Sequence, residues 1–412
     1  MMKKYEAYKD SGLEWLGMVP EHWEIDKLKY QFGLVTAPSE SSNKIGLENI
    51  ESATGRFIKT DSDFEGNGIA FLPNDIVYGK LRPYLQKVWL AEFSGSAVGD
   101  FYVFRCNEGT YSVYVKYLLL SHNFTVEADG STYGAKMPRV LYEFVANLKW
   151  AMPPLSEQRT IASYLDHKVG QIDALISEKE KMVEDLKAYS SSLITETVTK
   201  GLNKKVEMKD SGLEWLGMVP EHWEIDKLKY QFGLVTAPSE SSNKIGLENI
   251  ESATGRFIKT DSDFEGNGIA FLPNDIVYGK LRPYLKKVWL AEFSGSAVGD
   301  FYVFRCNEGT YPVYVKYLLL SHNFTVEADG STYGAKMPRV SYEFVANLKW
   351  AMPPLSEQRT IASYLDHKVD QIDTSISEIE HQLSDLKSYK SSLITEAVTG
   401  KIDLRDWQTK KS

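Results

Sequence analysis

Cysteine is nearly absent: the 412-residue chain has two, Cys106 and Cys306, at the same place in two copies of one repeat. One cysteine per copy builds neither a disulfide framework nor a metal site, so each reads as a small buried residue in a reducing cytoplasm. Long apolar runs are missing too. No stretch approaches the ~18 uninterrupted apolar residues of a membrane span. The opening MMKKYEAYKD has basic residues but no apolar region behind them, so neither export nor insertion is expected. A basic excess is also lacking, since 47 Lys and Arg face 56 Asp and Glu for a net charge of −9. This argues against an autonomous, tight nucleic-acid binder and confines any such binding to local patches.

Catalytic motifs are missing as well. There is no G-x-x-x-x-G-K-[ST] phosphate loop and no G-x-G-x-x-G opening a helix after a strand. The Asn/Asp-Pro-Pro-aromatic tetrad of adenine methyltransferases does not occur, because Pro153-Pro154 follows Met152 and precedes Leu155. Of seven histidines, His22, His122 and His167 recur in the second copy and His381 stands alone; none sits in a metal-ligand pair such as H-E-x-x-H. His167 beside Asp166 reads as a helix-surface pair. The chain is therefore expected to be no enzyme and to hold no metal or cofactor of its own.

What is present is a duplication. Residues 9–200 recur at 209–400 with an offset of 200. Between 9 and 169 only three positions change: Gln86 to Lys286, Ser112 to Pro312, and Leu141 to Ser341. Between 170 and 190 there are ten differences, among them Gly170 to Asp370, Leu175 to Ser375, Lys179 to Ile379 and Ser190 to Lys390. A period this long marks a duplicated domain rather than a solenoid.

Each copy has two textures. Up to 154 the sequence is mixed: segments 75–78, 87–90 and 99–104 read as short strands, and 113–120 as a helix carrying Tyr114, Tyr117 and Leu118. This part is expected to be an α/β globule, with Trp15 and Trp23 anchoring the N-terminal segment. Pro153 and Pro154 then stop the globule, Ser156 reads as an N-cap, and helix-compatible sequence runs to Gly201. Leu165, Val169, Ile172, Ile176, Val183, Leu186 and Leu193 form an apolar stripe. The second copy repeats it with Leu365, Val369, Ile372, Ile376, Ile379, Leu383, Leu386 and Leu393, and Gly400 ends it. Each stripe needs a partner, and the other copy offers a matching one. The linker from Gly201 to Lys209 reaches at most ~27 Å extended, far less than a helix of ~65 Å, so the helices are expected to be antiparallel. The expected architecture is a pseudo-two-fold dumbbell: globules at 1–154 and 201–354, spacer helices at 155–200 and 355–400, and a tail at 401–412.

Three elements, each present twice, resemble the recurring motifs of type I restriction–modification specificity subunits: SGLEWLGMVPEHWE (11–24), DIVYGKLRPYL (75–85) and PPLSEQRTIASYLD (153–166). The resemblance implies two target-recognition domains, each reading one half of a split site in double-stranded DNA. It also implies long helices that dock two methyltransferase subunits, with motor-nuclease subunits joining for restriction. S-adenosylmethionine, ATP and Mg²⁺ would then belong to those partners. This chain departs from the common pattern in that its two recognition domains are nearly identical.

Two segments per globule are free of acidic residues and rich in groups that meet DNA, 76–91 and 130–142. The first offers Lys80, Arg82, Tyr84 and Lys87; the second offers Ser131, Thr132, Tyr133, Lys136 and Arg139. Their equivalents are Lys280, Arg282, Tyr284, Lys287, Ser331, Thr332, Tyr333, Lys336 and Arg339. Lysine and arginine neutralise phosphates, arginine also holds guanine in a bidentate pair, and hydroxyls position the backbone. Two further readings fit the same residues. A subunit serving a methyltransferase alone would be told apart by neighbouring reading frames. A coiled-coil protein with heads for something other than DNA would be told apart by a gel shift.

Overall fold

The computed structural model describes residues 3–60, 64–260 and 264–408; residues 409–412 of the tail lie outside it. Each globule is built on a four-stranded antiparallel sheet, in the order Phe32–Val35, Phe101–Cys106, Ile76–Gly79, Val88–Leu90 in the first copy. The expected strands at 75–78, 87–90 and 99–104 are these three, shifted by one or two residues.

The run Ile76–Gly79 is buried along its whole length because the sheet has a core on each face. Alternation sorts the side chains. Ile76, Tyr78, Val88 and Phe104 join the large core, while Val77, Trp89, Phe101 and Val103 join a smaller one with Ile45 and Phe71. A second sheet, ordered Pro38–Ser39, Gly68–Phe71, Gly95–Ala97, Lys44–Ile45, covers the small core. Three helices complete the globule: α1 (Ser112–Leu120), α2 (His122–Gly130) and α3 (Tyr142–Asn147). Trp23 is fully buried and donates from Nε1 to Glu157, and Trp15 packs against Trp150 in a tilted pair at 5.0 Å between centroids.

The long helix α4 runs Leu155–Lys200. Ser156 lies inside its first turn and does not cap it. The carbonyl of Pro154 accepts the amides of Glu157 and Gln158, so the proline, which has no N–H to leave orphaned, holds the cap position. Gly201 ends the helix at φ +71°, a left-handed conformation that a Cβ would strain, and its amide bonds Thr197 O at 3.0 Å. The second copy repeats the globule with α5 (Pro312–Leu320), α6 (His322–Gly330) and α7 (Tyr342–Asn347), followed by α8 (Leu355–Val398). No described helix is long and apolar enough to cross a membrane.

The compact units do not break where globule gives way to helix. Unit 1 comprises Met1–Glu180 with His381–Ser412, and unit 2 comprises Lys181–Glu380. Each unit thus holds a globule, the first half of the helix that leaves it, and the second half of the other helix. In unit 1 the two half-helices run antiparallel, with Lys390 Nζ on Asp173 at 2.8 Å and Lys387 Nζ on Glu180 at 3.1 Å. In unit 2 Lys187 meets Glu380 at 3.5 Å in the same sense.

Stripe residues are placed accordingly. Leu165, Val169 and Ile172 share the unit 1 core with Leu393, Ile394 and Val398, and Ile176 and Leu386 pack at its margin. Leu365 and Val369 share the unit 2 core with Ile194 and Val198, and Leu193 packs against it. Val183, Ile372, Ile376, Ile379 and Leu383 are buried, and Leu186 is half-buried. The helix ends reach further into the globules than a pure helix–helix seam would. The Tyr114 hydroxyl donates to Val398 O, and the Tyr314 hydroxyl donates to Val198 O, both at 3.0 Å. In unit 1 the tail returns to the chain's start: Asp403 N bonds Lys3 O at 2.8 Å, and the Arg405 guanidinium lies 5.2 Å from the Tyr5 ring centre.

Candidate nucleic-acid interface

The segments 76–91 and 130–142 come together in each globule. Beyond Gly79 the chain leaves the sheet. Lys80 O accepts Val140 N, Leu81 pairs with Arg139 as an isolated bridge, and Arg82 N donates to Pro138 O at 2.8 Å. A short 3-10 turn, Pro83–Leu85, follows, flanked by left-handed residues on both sides, Arg82 (φ 51°) and Gln86 (φ 49°). Proline disfavours the right-handed helical region for the residue before it. Here Arg82 takes the left-handed region, which costs a residue with a Cβ about 1–2 kcal/mol. The same geometry recurs at Arg282 and Lys286. On the second segment, Tyr133 and Arg139 exchange both main-chain hydrogen bonds, closing a loop that turns at Gly134 (φ +91°).

The predicted side chains divide into two groups. Arg82, Tyr84, Tyr133 and Lys136 are exposed, and their side chains have no hydrogen-bond or ion-pair partner among the described residues. So are Arg282, Tyr284, Tyr333 and Lys336.

The others are committed to the fold. Arg139 holds Asp100 with two bonds of 2.8 Å and also reaches Met137 O, and these bonds keep the Asp100 carboxyl below its ordinary range. Arg339 does the same with Asp300. Lys87 donates to Leu47 O at 2.8 Å and Ile50 O at 2.7 Å, and burial lowers its pKa; Lys287 repeats this. Ser131 and Thr132 donate to Ala128 O and Asp129 O, closing α2, and Ser331 and Thr332 close α6. Lys80 is half-buried with its ammonium 5.1 Å from the Tyr102 ring centre, and Lys280 adds Asp300 at 3.9 Å. Lys87, Arg139, Ser131, Thr132 and their equivalents therefore also hold the fold together, with some of their donors already bonded to protein. Met137 and Met337, not singled out from the sequence, stand about half exposed in the same loop. The glycine and proline on either side, Gly134 and Pro138, were the available signal.

None of the three substitutions between the globules falls on these four exposed side chains, but the exposed Leu141 becomes Ser341 at the edge of the second segment. The Gln86 side chain turns to Leu120 O and Thr125 Oγ1, and Lys286 reaches Ser191 Oγ on the helix. Ser112 and Pro312 are the first residues of α1 and α5. Leu141 precedes α3 without a side-chain cap, whereas Ser341 caps α7 by accepting Phe344 N. Among the described residues no cluster of His, Cys, Asp and Glu is arranged to hold a metal. Burial pushes the Cys106 and Cys306 thiols up to about 12.

No family model matches the chain. Among curated proteins it is similar to the Type I restriction enzyme EcoDI specificity subunit of Escherichia coli, 23% identical over 65% of this chain and 66% of that protein. It is also similar to the MjaVIII specificity subunit of Methanocaldococcus jannaschii, 26% identical over 67% of each chain. The chain thus matches about two thirds of the length of these relatives. Among solved structures, a chain from a study of the assembly and conformational transition of the type I R-M system aligns with TM-score 0.70 at 16% identity, over 92% of this chain and 98% of that one. The HsdS subunit from Thermoanaerobacter tengcongensis aligns with TM-score 0.51 at 16% identity, over 93% and 98%.

Proposed function

We propose that this chain, similar in sequence to type I restriction enzyme specificity subunits and in fold to a chain of a type I R-M system, is a non-catalytic DNA-specificity subunit. Each unit reads double-stranded DNA through the surface formed by Arg82, Tyr84, Tyr133 and Lys136, or by Arg282, Tyr284, Tyr333 and Lys336. The observation that carries this reading is the repetition of one uncommitted cationic and aromatic surface in a chain whose net charge is −9. Free arginine and lysine neutralise phosphates, and tyrosines supply hydroxyls and ring faces.

Near-identical heads read the same short sequence. With the helices antiparallel, the two readings fall on opposite strands, so the target is an inverted repeat around an unread spacer, with one adenine modified in each half. Two methyltransferase subunits dock on the scaffold, and motor-nuclease subunits join for restriction. S-adenosylmethionine, ATP and Mg²⁺ serve those partners, and the complex works in the cytoplasm. The acidic total fits if the partners supply most backbone contacts, so the isolated chain binds DNA weakly.

Methylome sequencing of a host carrying the chain with its methyltransferase tests this directly. An inverted-repeat motif is expected. Halves that are unrelated, or repeated in the same direction, would sink the symmetric reading, and no modified motif at all would sink the DNA-reading role.

A further inference from the structure

In each unit a cavity lies where globule and helix halves meet, of about 470 Å³ in unit 1 and about 250 Å³ in unit 2. Three cations and three carboxylates line each one. In unit 1 these are Arg56, Lys387 and Lys390 with Glu51, Asp173 and Glu180. In unit 2 they are Lys187, Arg256 and Lys286 with Glu251, Asp373 and Glu380. The totals agree, but one lysine has changed sides. In unit 1 it comes from the incoming helix, as Lys390, opposite Gln86 of the globule. In unit 2 it comes from the globule, as Lys286, opposite Ser190 of the incoming helix.

These positions are not idle. Lys390 is buried and pairs with Asp173 at 2.8 Å, where Arg56 also binds at 2.8 Å. Lys286 is half-buried and donates to Ser191 Oγ at 3.3 Å. Of the three changes between the globules, Gln86 to Lys286 is the one that lines these cavities.

We infer that Gln86 with Lys390, and Lys286 with Ser190, form a pairing code that tells each globule which helix end to accept. The globules are otherwise so alike that two chains could exchange halves, first with first and second with second. Such an exchange puts Gln86 opposite Ser190, leaving two cations against three carboxylates. It also puts Lys286 opposite Lys390, giving four cations against three. In the first the buried Asp173 loses Lys390 and keeps only Arg56, and in the second Lys286 and Lys390 crowd like charges into one cavity, and both are unfavourable. The intramolecular pairing is the arrangement that balances both cavities, so the code disfavours chain-swapped assemblies as well as stabilising the correct fold.

The test uses the full chain. K286Q alone and S190K alone each unbalance the unit 2 cavity, and each is expected to lower Tm by about 2–4 °C or more. The double variant K286Q/S190K makes both cavities the Gln–Lys kind, and its Tm returns to the parent value. It also erases the code. After denaturation and refolding at high concentration, native mass spectrometry finds several-fold more chain-swapped dimer than in the parent. Additive losses in the double variant overturn the compensation, and an unchanged oligomer distribution overturns the code. Should K286Q/S190K not fold, the reciprocal pair Q86K/K390S makes both cavities the Lys–Ser kind and is read the same way.

Discussion

Replacing Arg82 and Arg282 by glycine separates reading from folding. Both arginines sit at φ 51° with exposed side chains that bond to nothing among the described residues. Removing the side chain therefore costs the fold no contact, and glycine relieves about 1–2 kcal/mol of left-handed strain at each site. Against this stands the entropy glycine adds to the unfolded chain, about 0.4–1 kcal/mol. The net per unit lies between zero and about 1.5 kcal/mol in favour of folding, an unchanged Tm or one raised by up to about 6 °C.

DNA binding by the methyltransferase-bound complex should move the other way. If the arginines meet phosphates, the slope of log K against log salt falls by about 2 across the two heads. If they meet bases, the slope stays and the motif relaxes at one position in each half. The contrasting pair, R139A with R339A, should lower Tm first, because each guanidinium ties Asp100 or Asp300 to its loop. Scanning calorimetry and a salt series of mobility shifts read both quantities. A clear fall in Tm for the glycine pair, or unchanged affinity, slope and motif, would refute the division of this surface into free and committed arginines.

Leu141→Ser should raise the stability of unit 1 by about 1 kcal/mol, because it supplies the N-cap that Ser341 gives α7; denaturant unfolding measures it. Asp100 and Asp300 are held below the ordinary aspartate value of 3.8 by hydrogen bonds from Arg139 and Arg339. Their contribution is complete above that value and is lost as pH falls through the lowered one, so R139A/R339A should flatten the Tm profile below pH 4. Both cysteines should stay unlabelled by a disulfide reagent at pH 8 in the native state and react fully in denaturant, since thiols pushed up to about 12 are protonated there.

The amino-acid order alone determined what local rules govern. The duplication, the strands around 76–79, 88–90 and 101–106, and the span of both long helices follow from self-comparison, β-branched and aromatic runs, and the terminating glycines at 201 and 400. Segments 76–91 and 130–142 were also legible as candidates, because a stretch without acidic residues is a property of sequence. Only the tertiary structure decided which members already bond to the protein. Arg82 and Arg139 read alike on paper, yet Asp100, thirty-nine residues before Arg139, holds one guanidinium while the other is left free. Lys87 gives two of its three donors to carbonyls of a distant turn for the same reason. Composition gives a side chain's chemistry, but its hydrogen-bond partners come from contacts far apart in the chain. The mid-helix boundary of the units and the crossed lysine had no local signal either, because both depend on which helix end docks on which globule.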